Sequence, residues 1–259
     1  MTDPQLIHDY LDRIGVHTIR APDAGFLAEL HERHLSTVPF ENIDVHLGLP
    51  ILLGDAALEK VVQRRRGGTC RELNGSAFPT LLTALGFKVT LLGSRVFIGG
   101  RPSFPMAHTV VRVDCPGPWL VDVGFGKDGP RFPLRLDEPA PQPDPVGTFR
   151  VRDGPAGDTE VLRNAEPVLR IEPAPRAPED FRPVLRWFES APESPFRDNL
   201  FCTRMTDYGR VTLRGNILTK TGSTFRTKQL LDADDDIRKA YEEHFGIILE
   251  RLPPIPSKG

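Results

Sequence analysis

The run Arg66-Gly67-Gly68-Thr69-Cys70-Arg71-Glu72-Leu73-Asn74 has the clearest capacity for chemistry in this sequence. Two consecutive glycines allow a sharp turn and a close approach of backbone to ligand. A cysteine follows at the start of a stretch with helical spacing. Unpaired N–H groups and the helix dipole favour negative charge there, and so favour thiolate over thiol. Most buried cysteines are inert, but a helix start is a poor place for an apolar filler, and the next turn presents Glu72 and Asn74. A reactive thiolate needs a base, and the base needs an orienting group. His108 opens the alternating run His108–Val113, and Asp122 lies within Trp119–Val123. If Asp114–Pro118 joins them as a hairpin loop, Val110 faces Asp122 and His108 faces Gly124. The histidine and the aspartate are then diagonal neighbours on one face. A carboxylate in an apolar strand needs a partner, because an unpaired buried charge is costly.

The elements that must position these groups follow from periodicity. Leu6, Tyr10, Leu11 and Ile14 recur at helical spacing and Gly15 stops them; Phe26, Leu27, Leu30 and Leu35 repeat the pattern until Pro39. Asp55 is placed to cap a third helix through Val62. A fourth runs from Cys70 to Leu85, with Pro79 expected to remove a hydrogen bond and kink it. Beyond Phe87 the period changes to that of strands, at Val89–Phe97, His108–Val113, Trp119–Val123, Thr148–Val151 and Glu160–Leu162. The proline-rich stretch from Pro139 to Pro183 reads as ordered loops and edges around that sheet. Strands at Gly209–Leu213 and Asn216–Thr219 and a helix at Asp236–Phe245 close the chain. The expected division is a helical part (1–86), a β part (87–190) and a small mixed part (191–259).

A chain of 259 residues can bury a large core without disulfide or metal staples. Lys plus Arg number 33 against 35 acidic residues, so no long-range field exists to hold nucleic acid. No apolar run approaches a membrane span, and the polar start carries no signal segment. Three cysteines without a CxxC pair suit a reducing cytoplasm. Gly124 to Gly129 matches GxGxxG by letter, but Pro130-Arg131-Phe132-Pro133 follows where a dinucleotide site needs a helix. His31-Glu32-Arg33-His34 lacks zinc spacing and a third ligand, and reads as surface polarity. Asp232 to Asp236 reads as the acidic start of the last helix rather than a calcium loop.

Four segments in order, Val38–Asp44, Arg66–Asn74, Ala107-His108-Thr109 and Val121–Gly126, resemble arylamine N-acetyltransferases, with weaker similarity through Ser190–Phe196 and Gly209–Leu213. The resemblance implies an α+β fold: an N-terminal helical bundle, a central antiparallel β-barrel and a C-terminal α/β lid. It implies a Cys70-His108-Asp122 triad like that of thiol proteases. It also implies ping-pong transfer of an acetyl or related acyl group from acyl-CoA, through a Cys70 thioester, to a small-molecule amine. No bound cofactor or metal is expected, and the protein would be a monomer or homodimer. Glu41 and Arg66 would pair to hold the glycine turn, and Phe125 and Gly126 would shape the acceptor pocket. Thr69, Arg71 and Lys127 depart from the family's usual apolar, aromatic or small residues. They therefore suggest polar substrate contacts and a specialised member, such as an amide-forming enzyme of secondary metabolism. A Cys-His-Asp hydrolase and a non-catalytic binding protein are the competing readings.

Overall fold

The Asp3 carboxylate accepts the Gln5 N–H at the start of α1 (Pro4–Ile14), and Gly15 ends that helix at φ 70°. This is the first element of a computed structural model that describes residues 3–126 and 129–256. Asp23 caps α2 (Ala24–Thr37) in the same way. The short β1 (Phe40–Glu41) and α3 (Ile43–His46) follow, then α4 (Asp55–Val62). Asp55 is the first residue of α4 and makes no side-chain cap; Gly54 holds the cap position at φ 60°.

The helix opened by the cysteine is not a simple kinked rod. It runs as α5 (Cys70–Glu72), a π-helical turn at Leu73–Ala77, and α6 (Phe78–Ala84). In the π turn the Phe78 N–H reaches back to the Leu73 carbonyl. Pro79 then falls in the first turn of α6, where a missing N–H costs nothing. The wider turn thus resets the helix one residue out of phase and absorbs the proline.

Strands β2 (Lys88–Ile98), β3 (Arg101–Pro102), β4 (His108–Asp114), β5 (Pro118–Val121), β6 (Leu134–Arg135), β7 (Gln142–Asp144), β8 (Gly147–Asp153), β9 (Thr159–Arg163) and β10 (Glu166–Arg176) form one antiparallel sheet among the described residues. Its order is β6-β5-β4-β2-β10-β9-β8-β7, with β3 on β2. The end strands approach through the Gln142 side chain, which bonds the Arg135 N–H and C=O and nearly closes a barrel. The 11-residue β10 was hidden in the proline-rich stretch. It lies between β2 and β9, and its register shifts between Pro167 and Leu169 and between Ile171 and Pro175. Prolines cannot donate to a ladder, and bulges are where a sheet tolerates them.

Helices α7 (Arg182–Ser190) and α8 (Pro195–Asp198) cross to a second sheet. It contains β11 (Phe201–Thr206), β12 (Gly209–Arg214), β13 (Ile217–Gly222) and β14 (Arg226–Leu230), and α9 (Asp234–Phe245) closes the chain. β1 pairs with β11, so the N-terminal part supplies the first strand of this C-terminal sheet. The fold is α+β. One apolar cluster joins the helices to the barrel: Tyr10, Phe26, Leu58, Leu73 and Phe78 pack with Val111, Val113, Val121 and Val123. That shared core fixes the cysteine helix against β4 and β5. No helix among the described residues is long and apolar enough to cross a membrane.

Behind the glycine turn lies a buried charge network. The Lys60 ammonium is 2.7 Å from both Asp44 and Glu72, and Arg66 is 2.9 Å from both Glu41 and Asp44. Three carboxylates face two cations, so removing one cation leaves buried charge uncompensated. Lys60→Met is expected to lower unfolding free energy by about 3–5 kcal/mol, read by urea denaturation.

Candidate active site

Cys70 stands at the first position of its helix because the chain can turn sharply just before it. A Cβ on Gly67 would lie 2.0 Å from the Pro39 carbonyl oxygen, so only glycine fits there. The Glu41 N–H donates to the Gly68 carbonyl, and the Glu72 carboxylate accepts from both the Thr69 N–H and the Thr69 hydroxyl. Glu41 and Arg66 pair directly at 2.9 Å. Asp44 and Lys60, which the motif did not announce, complete the brace.

The histidine comes from the barrel. β4 and β5 pair Val111 with Val121 and Val113 with Trp119, the register in which Val110 and Asp122 are opposite. Asp122 lies one residue past β5, on the same face as His108. Its Oδ2 is 2.8 Å from His108 Nε2, which leaves Nδ1 for the thiol. Its Oδ1 accepts from Asn74 Nδ2 at 2.6 Å and from the Gly124 N–H at 3.1 Å. The His108 side chain and the Thr109 backbone lie beside Cys70, and both favour its thiolate. Gly124 lets the Cys70 helix come this close to the hairpin, since a Cβ there would sit 2.8 Å from Cys70 Cα.

The electrostatics follow from these contacts. Burial works against an imidazolium, but the Asp122 carboxylate and then Cys70 outweigh it and hold His108 up to about 9. Burial likewise works against a thiolate. The Arg71 guanidinium and then the His108 imidazolium overcome it, so the thiol lies below its ordinary value. The other two cysteines differ. Burial pushes Cys202 well up, and burial with Asp23 nearby pushes Cys115 up. The arrangement can hold a thiolate–imidazolium pair in a largely dry site.

Cys70 and His108 open onto a cavity of about 690 Å3. Phe40, Phe104, Phe125, Trp187, Phe188, Phe196 and Phe201 line it, with Val96, Ile98 and Ala107. Polar side chains (Ser103, Glu193, Asn199, Thr203, Thr212 and Arg214) also contribute to its wall. Phe125 and Gly126 are part of the lining, and the Phe125 ring centroid is 5.1 Å from that of His108. Thr69 and Arg71 are not. Both are buried at 1% exposure, with Thr69 bonded to Glu72 and Arg71 turned to Thr109 and the Met106 carbonyl. The polar slot inferred from those two residues is therefore replaced by an aromatic one. Lys127 lies outside the described residues.

Two contributors escaped the sequence reading. Asn74 donates to Asp122 and to the Thr109 carbonyl at 2.8 Å and accepts from the Val123 N–H at 2.9 Å, tying helix to both strands. His31 and His34, read as surface polarity, are fully buried. His31 Nε2 accepts the Asp122 N–H at 3.2 Å while Nδ1 donates to the Arg131 carbonyl at 2.9 Å. The available signal was spacing: 27, 30, 31, 34 and 35 form one apolar stripe of α2, and both histidines lie within it.

Residues 23–252 match a family model described as N-acetyltransferase. An arylamine N-acetyltransferase of Mycobacterium bovis is 34% identical over 92% of this chain and 88% of its own length. The arylamine N-acetyltransferase of Salmonella typhimurium superposes with a TM-score of 0.87 at 28% identity, covering 95% of this chain and 92% of that one. That of Mycobacterium marinum, solved in complex with CoA, gives 0.83 at 31% identity, covering 93% and 92%.

Replacing Asn74 by leucine removes two donors and an acceptor from this junction. Asn74→Leu is expected to lower kcat by about 10- to 100-fold through misplacement of Asp122, read by steady-state acyl transfer on protein whose thermal melt shows it folded.

Proposed function

The chain belongs to the arylamine N-acetyltransferase family, and from that premise we propose that it moves an acetyl group from acetyl-CoA, through a thioester on Cys70, to an aromatic amine. The observation that carries this reading is the Cys70-His108-Asp122 constellation at the floor of an aromatic cavity.

The Cys70 thiolate attacks the carbonyl carbon of the donor thioester. The Cys70 and Arg71 N–H groups, at the start of the Cys70 helix, support the oxyanion. The carbon–sulfur bond to CoA breaks, and the His108 imidazolium gives its proton to the departing thiolate. The imidazole is then neutral. It takes a proton from the amine as the amine nitrogen attacks the acetyl-Cys70 carbonyl, and the Cys70 thiolate leaves. The Asp122 carboxylate keeps the ring in line throughout. CoA bound to the Mycobacterium marinum relative supports the donor. The aromatic walls support a flat, apolar acceptor over the polar amine suggested by Thr69, Arg71 and Lys127.

Incubation with acetyl-CoA followed by intact mass measurement is expected to show one acetyl group on the wild type and none on Cys70→Ala. Adding an arylamine should discharge it as N-acetylarylamine. A wild type that never gains the adduct contradicts the thioester route, and release of free acetate at the same rate without amine would favour the hydrolase.

A further inference from the structure

Arg71 is among the largest fully buried side chains, at 1% exposure. Its guanidinium has no ion-pair partner among the carboxylates of the described residues, and its Nε has no hydrogen-bond partner. Burial works against its cationic form and lowers its pKa, and Cys70 is the neighbouring charge that favours the cation. A buried cation without a counterion is costly, so its position needs a reason. One arm donates to the Met106 carbonyl and the other to Thr109 Oγ1. These two residues flank His108. Met106 holds φ 54°, an uncommon conformation for a side-chain-bearing residue that its surroundings must enforce. The guanidinium plane also lies 4.7 Å from the Phe181 ring centroid and 5.9 Å from that of Phe188, a wall of the cavity.

We propose that Arg71 is a positioning residue: its guanidinium clamps the chain on both sides of His108 and supplies the positive charge that balances the buried Cys70–Asp122 pair. The residue beside the nucleophile thereby sets where the base stands. With Cys70 and Asp122 negative and His108 and Arg71 positive, the resting site is neutral; an apolar residue at 71 would leave one excess negative charge. The remaining charges on this turn are turned away, with Glu72 on Lys60 at 2.7 Å. The groups facing Cys70 are thus Arg71 from its own helix and His108, backed by Asp122, from the barrel. Lysine cannot reproduce the two-armed grip, because an ammonium is a point charge without the planar fork.

The proposal rests on Cys70 being the nucleophile, and its test reads the thiol without acyl transfer. Iodoacetamide alkylation of Cys70 is followed against pH by mass spectrometry in the wild type, Arg71→Met and Arg71→Lys, alongside kcat and thermal melts. In Arg71→Met the acid limb of the alkylation profile should move up by about one pH unit or more, since a positive neighbour favours the thiolate. In Arg71→Lys the limb should stay near its wild-type position while kcat falls about tenfold or more as His108 loses its clamp. A folded Arg71→Met with the wild-type limb overturns the charge balance. Should that variant not fold, Arg71→Lys decides: wild-type kcat and profile together overturn the clamp. A wild type whose Cys70 is not selectively alkylated overturns the nucleophile reading, and this proposal with it.

Discussion

The site depends on one buried carboxylate. Asp122 is 1% exposed, and its two oxygens meet His108, Asn74 and the Gly124 N–H. A charge buried in this way is tolerable only when every lone pair is met and a cation stands beside it. His108 is that cation, and after Arg71 it is in turn the group that favours the Cys70 thiolate. The helix bearing Cys70 and the hairpin bearing His108 and Asp122 are thus held together by electrostatics as well as by the apolar core they share. Moving Asp122 would loosen all three.

The surroundings divide into two physical regimes. Beneath the glycine turn, Lys60 and Arg66 brace Glu41, Asp44 and Glu72 in a dense ionic network set apart from the cavity lining. On the other side lies a largely aromatic cavity, at which the Cys70 side chain itself is buried. Low dielectric strengthens the attraction between thiolate and imidazolium, while the network keeps the turn from relaxing. Asn74 and Arg71, both on the helical run that begins at Cys70, reach across to the strand of the base. The run is therefore a scaffold for more than its cysteine.

Much of this was legible from residue types and spacing. The helix start at Cys70 and the parity that places His108 and Asp122 on one face are local patterns, and local patterns survive folding; the pairing of Glu41 with Arg66, 25 residues apart, came from the family resemblance. What was not legible depended on direction. Thr69 and Arg71 are polar residues beside the nucleophile, but a helix start points its side chains to several sides, and both turn into protein rather than cavity. The aromatic wall draws on Phe40, Phe104, Trp187, Phe196 and Phe201, from separate segments that only tertiary structure assembles. Strand β10 was masked by its own prolines, which sit at bulges. His31 and His34 were masked by their charge potential, although they follow the stripe of α2.

The central claim is that a buried carboxylate keeps the imidazole protonated well beyond its usual range. The direct measurement is an NMR titration of isotope-labelled histidine side chains, with the His108 signal assigned by its loss in a His108→Ala variant. Asp122 and Cys70 should hold His108 as an imidazolium until about pH 9, against the ordinary 6.5. A His108 signal that titrates near 6.5 would contradict the account.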